Sequence, residues 1–301
     1  MIVPSSREGS NERLPLFVAE VCSNHHKDLA RCLQFIDRSA QIGCSAVKFQ
    51  LFKIRELYAA EILARSQVHR LREAWELPVE FLPRLAQRAH QQGIQFSCTP
   101  FYLQAVEELS PYVDFYKIAS YELLWKELLQ ACARTRKPVV LSTGMASLEE
   151  VETAVDVLTG AGCQELTLLH CVSGYPTPAR ECNLAAIEKL RNLGPHEVGW
   201  SDHTRNPGVI FRAVHRFGAQ MIEFHMDLDE QGAEYGMGHC WLPQEMGSVI
   251  AAIKDGLWAD GQGKKIPSGQ EDEEKNWRAD PSDGLRPLKS YRAVFKGDPS
   301  L

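Results

Sequence analysis

Short apolar stretches alternate along the chain with longer stretches of helical spacing. The short stretches are rich in β-branched and aromatic residues, and the segments between them repeat apolar residues every three to four positions. Strands that are regularly followed by helices are typical of a parallel sheet. The predicted strands are residues 16–21, 46–50, 94–99, 115–120, 138–143, 166–171, 197–202 and 221–226.

The helical segments complete eight strand–helix units. Turn signals such as Gly43, Gly93 and Gly218 stand where these helices should end. Eight units in about 240 residues predict an α/β fold of the (β/α)8 TIM barrel type, which we assign to residues 1–258. No G-x-G-x-x-G motif follows the first strand and there is no P-loop, which disfavours a doubly wound nucleotide-binding fold. The predicted helices are residues 29–42, 79–92, 103–109, 123–134, 148–161, 184–193, 208–217 and 244–256.

Two segments lie outside this regular pattern. Residues 51–78 form the longest connection, and long connections on a barrel usually serve the active site, so we expect a helix and a lid there. Residues 259–301 are rich in Gly, Lys, Pro, Asp and Glu, and we interpret them as an irregular C-terminal tail without a second core.

Composition narrows the functional classes. The 301 residues carry 33 Lys and Arg against 39 Asp and Glu, a net charge of −6 without a basic cluster, so nucleic-acid binding is disfavoured. No apolar run reaches the ~18 residues of a membrane span, and residues 1–13 are polar, unlike a signal peptide. The nine cysteines contain no C-x-x-C pair, which favours reduced thiols and a cytoplasmic location.

Polar residues cluster at the carboxyl ends of the predicted strands, where barrel enzymes carry their active sites. Nearly every strand delivers at least one such residue. In chain order they are Glu20, Asn24, His25, Lys48, Gln50, Ser97, Thr99, Lys117, Ser120, Glu122, Ser142, Thr143, His170, Ser173, Ser201, Asp202, His203, Glu223 and His225.

Two lysines occur inside apolar strands, Lys48 in Ala-Val-Lys-Phe-Gln and Lys117 in Phe-Tyr-Lys-Ile-Ala-Ser. A buried ammonium group needs a partner, and a bound phosphate or carboxylate would supply one, aided by the nearby hydroxyl groups. One alternative is an internal salt bridge of each lysine to Glu20 or Glu122. Another is that Lys117 or Lys48 forms a Schiff base, as in barrel aldolases.

His203 and His225 end consecutive strands, which are neighbours in a barrel. Imidazoles placed in this way can converge on one divalent ion, although a satisfied hydrogen-bonding role is the alternative. We expect Asp202 to orient an imidazole and His170 to be structural. The cysteines near the rim, Cys22, Cys98 and Cys171, are expected to pack as small apolar side chains.

The motifs resemble those of the sialic acid synthases and related phosphoenolpyruvate-condensing sugar synthases. Nine stretches match in order between about residues 16 and 226. They are Val18-Ala19-Glu20, Asn24-His25, Val47-Lys48-Phe49-Gln50, Ser97-Cys98-Thr99-Pro100-Phe101, Tyr116-Lys117-Ile118-Ala119-Ser120, Leu141-Ser142-Thr143-Gly144-Met145-Ala146, Leu168-Leu169-His170-Cys171 with Tyr175-Pro176, Ser201-Asp202-His203-Thr204 and Glu223-Phe224-His225.

This resemblance implies condensation of phosphoenolpyruvate with an aldose or other aldehyde, with release of phosphate and formation of a 2-keto-3-deoxy sugar acid. It implies a Mn²⁺ or Mg²⁺ ion on His203 and His225, and proton transfer or water placement by Glu20, Glu122 and Glu223. The implied substrate contacts are Lys48, Thr99, Lys117, Ser120, Ser142, Ser173 and Ser201, with Asn24, Gln50 and Tyr175 beside them.

The departures from the family pattern lie on the sugar side. The family's C-terminal antifreeze-like domain, which supplies an arginine to the sugar of a partner subunit, is expected to be absent. Gly238 stands where the family has a sugar-contacting aspartate. We therefore expect an altered acceptor and leave a homodimer open. Arg278, Arg286 and Arg292 of the tail are candidates to replace the missing arginine, and the alternative is that the tail packs on the outside of the barrel. A degenerate barrel that only binds a sugar or a protein is the alternative from another class.

Overall fold

The strands close into the predicted (β/α)8 barrel. The computed structural model describes residues 14–297, and within them eight parallel strands pair in sequence order, with β8 returning to β1. The register at this closure sets Glu20 opposite His225. The strands are β1 (Leu16–Glu20), β2 (Ala46–Leu51), β3 (Gln95–Pro100), β4 (Phe115–Ile118), β5 (Val139–Ser142), β6 (Leu166–Cys171), β7 (Glu197–Asp202) and β8 (Met221–His225).

The helices follow the predicted segments, with ends set by local capping. Asp28 caps the first helix by accepting the Ala30 N–H at 2.7 Å, and Ser147 with Glu150 forms a capping box on the eighth. The helices are α1 (Leu29–Gln41), α2 (Ile54–Leu57), α3 (Ala60–Arg65), α4 (Gln67–Leu71), α5 (Leu82–Gln91), α6 (Leu103–Leu109), α7 (Lys126–Arg134), α8 (Leu148–Gly160), α9 (Ala186–Arg191), α10 (Pro207–Phe211), α11 (Pro243–Ala259) and α12 (Lys289–Arg292).

Three predicted helices differ from the structure in detail. The segment 79–92 begins as a 3₁₀ turn over Val79–Phe81 before α5, and 208–217 divides into α10 and a π-helical turn over Arg212–Arg216. The segment 123–134 starts late, at Lys126, because a 3₁₀ turn over Ser120–Glu122 follows β4. The long connection after β2 contains three short helices, α2 to α4, where one helix and a lid were expected.

The apolar residues form two separate layers. The larger core lies between the strands and the surrounding helices. A smaller cluster fills the inside of the barrel and consists of Val18, Ala46, Phe115, Val140, Leu169 and Met221, with Leu16 against it. This interior cluster closes the amino-terminal side of the barrel and so forms the floor of any site above it.

The chain separates into two compact units, one ending at Ala259 and one beginning at Asp260. The second unit contains α12, two 3₁₀ turns and a cluster of the rings of Trp277, Tyr291 and Phe295. Arg292, one of the arginines considered for the sugar, is bound inside this unit by Asp283 at 2.6 Å. Within the described part of the chain, no helix is long and apolar enough to cross a membrane.

Candidate active site

A polar layer lies directly above the apolar floor of the barrel. Successive side chains of a strand point to opposite faces, so a residue two positions after a floor residue also points inward. On five strands that residue is polar and buried, and Ser201 of β7 points inward in the same way two positions after Gly199. These residues are Glu20, Lys48, Lys117, Ser142, Ser201 and Glu223.

The polar layer opens into a cavity of about 590 Å³ at the carboxyl ends of the strands. This size suits a small-molecule ligand. The connection after β2 contributes Tyr58, Arg72 and Trp75 to its wall, so this segment belongs to the site, as expected. The predicted site residues that line the cavity are Lys48, Gln50, Lys117, Ser120, Glu122, Ser142, Tyr175, Ser201, His203, Glu223 and His225.

Both strand lysines have carboxylate partners inside the barrel. Lys48 forms an ion pair with Glu20 and lies 3.8 Å from Glu223 Oε2, while Lys117 Nζ lies 3.4 Å from Glu223 Oε1. The salt-bridge alternative therefore holds for Lys48 and Glu20, whereas the partner of Lys117 is Glu223 and not Glu122. The lysines do not need an anion to be tolerated, and the case for an anion site rests on the groups around them.

The hydroxyl groups of Ser120 and Ser173 and the thiol of Cys171 converge on Gly144. A Cβ atom at this position would lie 2.5 Å from Ser173 Oγ and 2.9 Å from Ser120 Oγ. Ser120 Oγ accepts the Gly144 N–H at 2.9 Å, whereas Ser142 Oγ and Ser173 Oγ are buried without a hydrogen-bond partner among the described residues. Unsatisfied buried hydroxyls beside a lysine are suited to receive an anionic ligand.

Two glutamates of the cavity are held in different protonation states. Burial raises the pKa of Glu122 to about 8, against the opposing charge of Lys117. Burial would also raise the pKa of Glu223, but Lys117, Lys48 and the Ser201 hydroxyl lower it below its usual value. At neutral pH Glu122 is thus mostly a neutral acid and Glu223 a carboxylate.

The two imidazoles of the predicted metal pair lie next to each other in the cavity. The rings of His203 and His225 lie 5.0 Å apart between centroids, and His203 Nδ1 donates to the Val172 carbonyl at 2.6 Å, which leaves Nε2 with its lone pair. Burial lowers the pKa of both imidazoles, further for His225, so both are neutral near pH 7. Neutral imidazole is the form that ligates metals.

The structure brings two residues to the site that the sequence did not single out, Glu234 and His239, and gives Cys22 a different role. Cys22 Sγ lies 2.7 Å from His225 Nδ1, so the expectation that Cys22 only packs as an apolar group is wrong. His239 Nε2 lies 3.1 Å from the same nitrogen, and Glu234 Oε2 lies 3.6 Å from His239. Their convergence depends on the loop after β8, and no local sequence signal places that loop against residue 22.

Some predicted residues have supporting positions. Asn24 is fully buried, donates to the Met226 carbonyl and accepts the Glu234 N–H at 2.8 Å, so its side chain holds the loop and does not face the substrate. Thr99 Oγ1 accepts from Lys48 Nζ at 3.2 Å and thereby positions the lysine.

Asp202, predicted to orient an imidazole, accepts hydrogen bonds from two other ring systems. It receives the indole N–H of Trp200 at 3.1 Å and that of Trp241 at 3.0 Å. His203 is oriented by a hydrogen bond to the Val172 carbonyl and not by Asp202. His170 Nε2 contacts the Cys182 carbonyl at 2.9 Å, in agreement with the structural role predicted for it.

A comparison with protein families places this site in a known context. The model of the NeuB family matches residues 35–265. The chain belongs to the NeuB family. This confirms the resemblance to sialic acid synthases that the motifs carry.

Relatives within the family have related names. The chain is 33% identical over 276 residues to the N,N'-diacetyllegionaminic acid synthase of Campylobacter jejuni, covering 87% of this chain and 81% of that protein. It is 29% identical over 259 residues to the pseudaminic acid synthase of Helicobacter pylori, covering 82% and 76%. The crystal structure of an N-acetylneuraminic acid synthetase from Leptospira borgpetersenii superposes with a TM-score of 0.76 at 30% identity, covering 90% of this chain and 95% of that chain. The chain is therefore an enzyme of the sialic acid synthase type, as predicted.

Proposed function

We propose that this enzyme condenses phosphoenolpyruvate with an aldose or a simpler aldehyde, releases phosphate and forms a 2-keto-3-deoxy sugar acid. The observation that carries the proposal is the set of serine hydroxyls in a barrel of the NeuB family: Ser120 and Ser173 meet at Gly144, Ser142 and Ser173 have no hydrogen-bond partner among the described residues, and Ser120 and Ser142 line the same cavity as Lys117. The nine cysteines are all free thiols, which suits the reducing cytoplasm in which we place the reaction.

The cavity divides the substrates between its two sides. Ser120, Ser142 and Ser173 donate to the phosphate and Lys117 neutralises it, while Lys48 faces the carboxylate of the same substrate. The acceptor aldehyde lies on the side of His203 and His225. His203 and His225 would hold a Mn²⁺ or Mg²⁺ ion, which would polarise the aldehyde oxygen as a Lewis acid.

The carbon–carbon bond forms between C3 of phosphoenolpyruvate and the aldehyde carbon. Glu122, neutral at pH 7, donates a proton to the aldehyde oxygen as it becomes a hydroxyl. Water then adds to C2, and the Glu223 carboxylate with Ser201 orients this water. The water gives its first proton to the Glu122 carboxylate, which restores the acid. Its second proton leaves with the phosphate as the C2–O bond to phosphorus breaks and the 2-keto group forms, so atoms and charge balance.

The acceptor is proposed to differ from the family's usual amino sugar. Gly238 has a left-handed backbone (φ 85°) and offers no side chain where the family carries an aspartate. Met237 and Tyr121, both well exposed, line the same cavity and give its outer part an apolar surface. A screen of aldoses and simple aldehydes for phosphate release identifies the acceptor.

Phosphate release should require phosphoenolpyruvate, an acceptor and a divalent ion together, and a chelator should abolish it until metal is restored. Gly144→Ala should raise the KM for phosphoenolpyruvate by roughly tenfold to 100-fold, because the new methyl group displaces hydroxyls that bind a charged ligand. Gly160→Ala, with open space at its Cβ position, is the matched control. An unchanged KM in Gly144→Ala would overturn the phosphate position.

A Schiff-base aldolase is the second candidate, favoured by the Lys48 pKa. Burial lowers this pKa to about 8, against the attraction of Glu223. Borohydride reduction with pyruvate and product should trap no adduct on Lys48 or Lys117 if condensation is correct, and a trapped adduct would favour the aldolase. For a barrel that only binds another ligand, calorimetry should show no metal-dependent heat with phosphoenolpyruvate.

A further inference from the structure

Three different ligand types meet at one edge of the cavity. Cys22 follows β1, His225 ends β8, and Glu234 lies in the loop after β8. One ligand atom from each, the thiol sulfur, an imidazole nitrogen and a carboxylate oxygen, lies within 4.8 Å of the other two. His225 Nδ1 is at the centre, 2.7 Å from Cys22 Sγ and 3.9 Å from Glu234 Oε2.

The backbone holds Cys22 in this position against its ordinary preference. Its φ of 54° lies in the left-handed region, which non-glycine residues seldom adopt. The Cys22 N–H donates to Glu20 Oε1 at 2.8 Å, so the barrel glutamate fixes the turn that aims the sulfur at His225. Strain of this kind persists where the surrounding structure enforces it, and it is most frequent at functional sites.

Glu234 is anchored as firmly from the other side. Its backbone N–H donates to Asn24 Oδ1 at 2.8 Å, and one carboxylate oxygen accepts the Ser23 N–H at 3.2 Å. The other carboxylate oxygen faces the imidazoles. The residues next to Cys22 thus keep its thiol and the Glu234 carboxylate close to the His225 imidazole.

We propose that Cys22, His225 and Glu234 form a three-ligand site for a thiophilic divalent ion, with Zn²⁺ or Co²⁺ favoured over Mn²⁺ and Mg²⁺. The inference deepens the proposed function, since His225 is one of the imidazoles assigned there to a metal. Thiolate selects Zn²⁺ and similar ions, whereas Mg²⁺ and Mn²⁺ prefer oxygen ligands. Three protein ligands leave a fourth tetrahedral position for substrate or water.

Binding requires a small opening of the cluster. Tetrahedral Zn²⁺ bonds of about 2.3 Å to sulfur and about 2.0 Å to nitrogen place those two atoms about 3.5 Å apart, against 2.7 Å in this structure. The thiol gives up its proton to solvent as the metal–sulfur bond forms. His239 Nε2 lies 3.1 Å from His225 Nδ1, and this contact must break before the metal can bind Nδ1. His239 then remains beside Glu234.

Cobalt spectroscopy on the full-length protein tests the site. After removal of metal with a chelator, one equivalent of Co²⁺ should produce a thiolate-to-cobalt charge-transfer band in the near ultraviolet. Cys22→Gly and Cys22→Ser should remove the band and weaken Zn²⁺ binding more than about 100-fold, the upper range for loss of a group that only supports a ligand. Glycine suits the left-handed φ at residue 22, so Cys22→Gly should remain folded, which its thermal unfolding midpoint checks.

Cys240→Ser is the matched control, because Cys240 Sγ is also buried and lies 3.8 Å from His239 Nε2. It should keep the band. Absence of the band in the wild-type protein, or its persistence in Cys22→Gly, would overturn the thiolate site. Loss of the band in Cys240→Ser, with the band kept in the Cys22 variants, would also overturn the thiolate site.

The two proposals fail in different ways. If the wild-type protein shows the band but releases no phosphate with any acceptor, the thiolate site stands and the condensation is overturned. If phosphate is released with Mn²⁺ while no thiolate band forms with Co²⁺, the condensation stands and the site is overturned.

Discussion

At the scale of single residues, the cavity separates two carboxyl groups by their surroundings. Glu223 contacts two ammonium groups and a hydroxyl, while Glu122 has one carboxylate oxygen buried without a hydrogen-bond partner in the described part of the chain. The glutamate side chain is therefore protonated at residue 122 and ionised at residue 223. Such a division lets one cavity both donate a proton and orient water at neutral pH.

The proton on Glu122 predicts the alkaline limb of the pH profile. Its pKa of about 8, raised by burial and opposed by Lys117, means that the acid form is present below pH 8 and is lost above it, so kcat should fall through that range. Glu122→Gln should lower kcat by roughly 100-fold and abolish this limb. Glu127→Gln, the same change at an exposed position, should leave kcat and its pH profile unaltered.

The measurement is kcat against pH at saturating phosphoenolpyruvate. Lys48 also titrates near pH 8, but loss of its charge should appear in KM for phosphoenolpyruvate and not in kcat. A Glu122→Gln enzyme that retains the fall in kcat would assign the limb to another group.

At the scale of elements, α1 and the loop after β8 are joined by one arginine. Arg31 donates to Asp227 at 2.8 Å and to Asp229 at 2.7 Å, and its Nε donates to the Asn24 carbonyl at 2.7 Å. Asp227 is fully buried and also accepts the Gly232 N–H. This contact fixes the loop that carries Glu234 to the turn that carries Cys22.

Arg31→Ala should lower the free energy of unfolding by about 3 kcal/mol, because it leaves the Asp227 carboxylate buried without its cation. Arg31→Lys should restore little, since a single ammonium cannot reach all three partners with the guanidinium's geometry. Urea unfolding measures both. Arg38→Ala, exposed on the same helix, should be nearly neutral, and equal losses for the two alanine variants would contradict the role of Arg31.

The elements themselves were largely predictable from the sequence. β6 and β7 begin and end at the predicted residues, because short stretches rich in apolar and β-branched residues between turn signals mark strands. Barrel enzymes carry their sites at the carboxyl ends of the strands, and this expectation correctly placed Lys48, Lys117 and Glu223 in one site. The barrel topology alone brings those positions together.

The sequence did not predict which side chains pair within the site. Lys117 pairs with Glu223 and not with Glu122, and Asp202 binds tryptophans and not an imidazole. These choices depend on the direction in which each side chain points and on contacts between segments that are distant in the chain. The contact of Cys22 with His225 and the presence of Glu234 at the site were missed for the same reason, because neither residue belongs to a periodic pattern.

At the scale of the whole molecule, the barrel interior is built as an apolar floor under a polar layer. Gly199 belongs to the floor, two residues before Ser201, where a Cβ atom would lie 2.2 Å from the Met221 carbonyl oxygen and 2.7 Å from a Leu169 methyl group. The backbone of β8 approaches this strand too closely for any side chain. The lack of a side chain at Gly199 thus sets the distance between β7 and β8 at this level of the barrel.

Gly199→Ala should therefore destabilise the fold by about 3 kcal/mol or more, because a backbone carbonyl cannot move aside as a flexible side chain can. Thermal and urea unfolding report the loss. Gly160→Ala, at the end of α8 with open space around it, should be neutral or slightly stabilising. A Gly199→Ala protein as stable as the wild type would show that the strands can separate at this level.

The closure of β8 against β1 also sets the order in which the protein matures. Glu20 pairs across this closure with His225, and Cys22 and Glu234 lie just beyond the same two strands. During synthesis the first of these residues leaves the ribosome about 200 residues before the last, so a partly made chain can form strands and helices but has no complete cavity. The complete cavity therefore forms only when the eighth strand docks and brings Glu223, His225 and Glu234 to the residues that were made first.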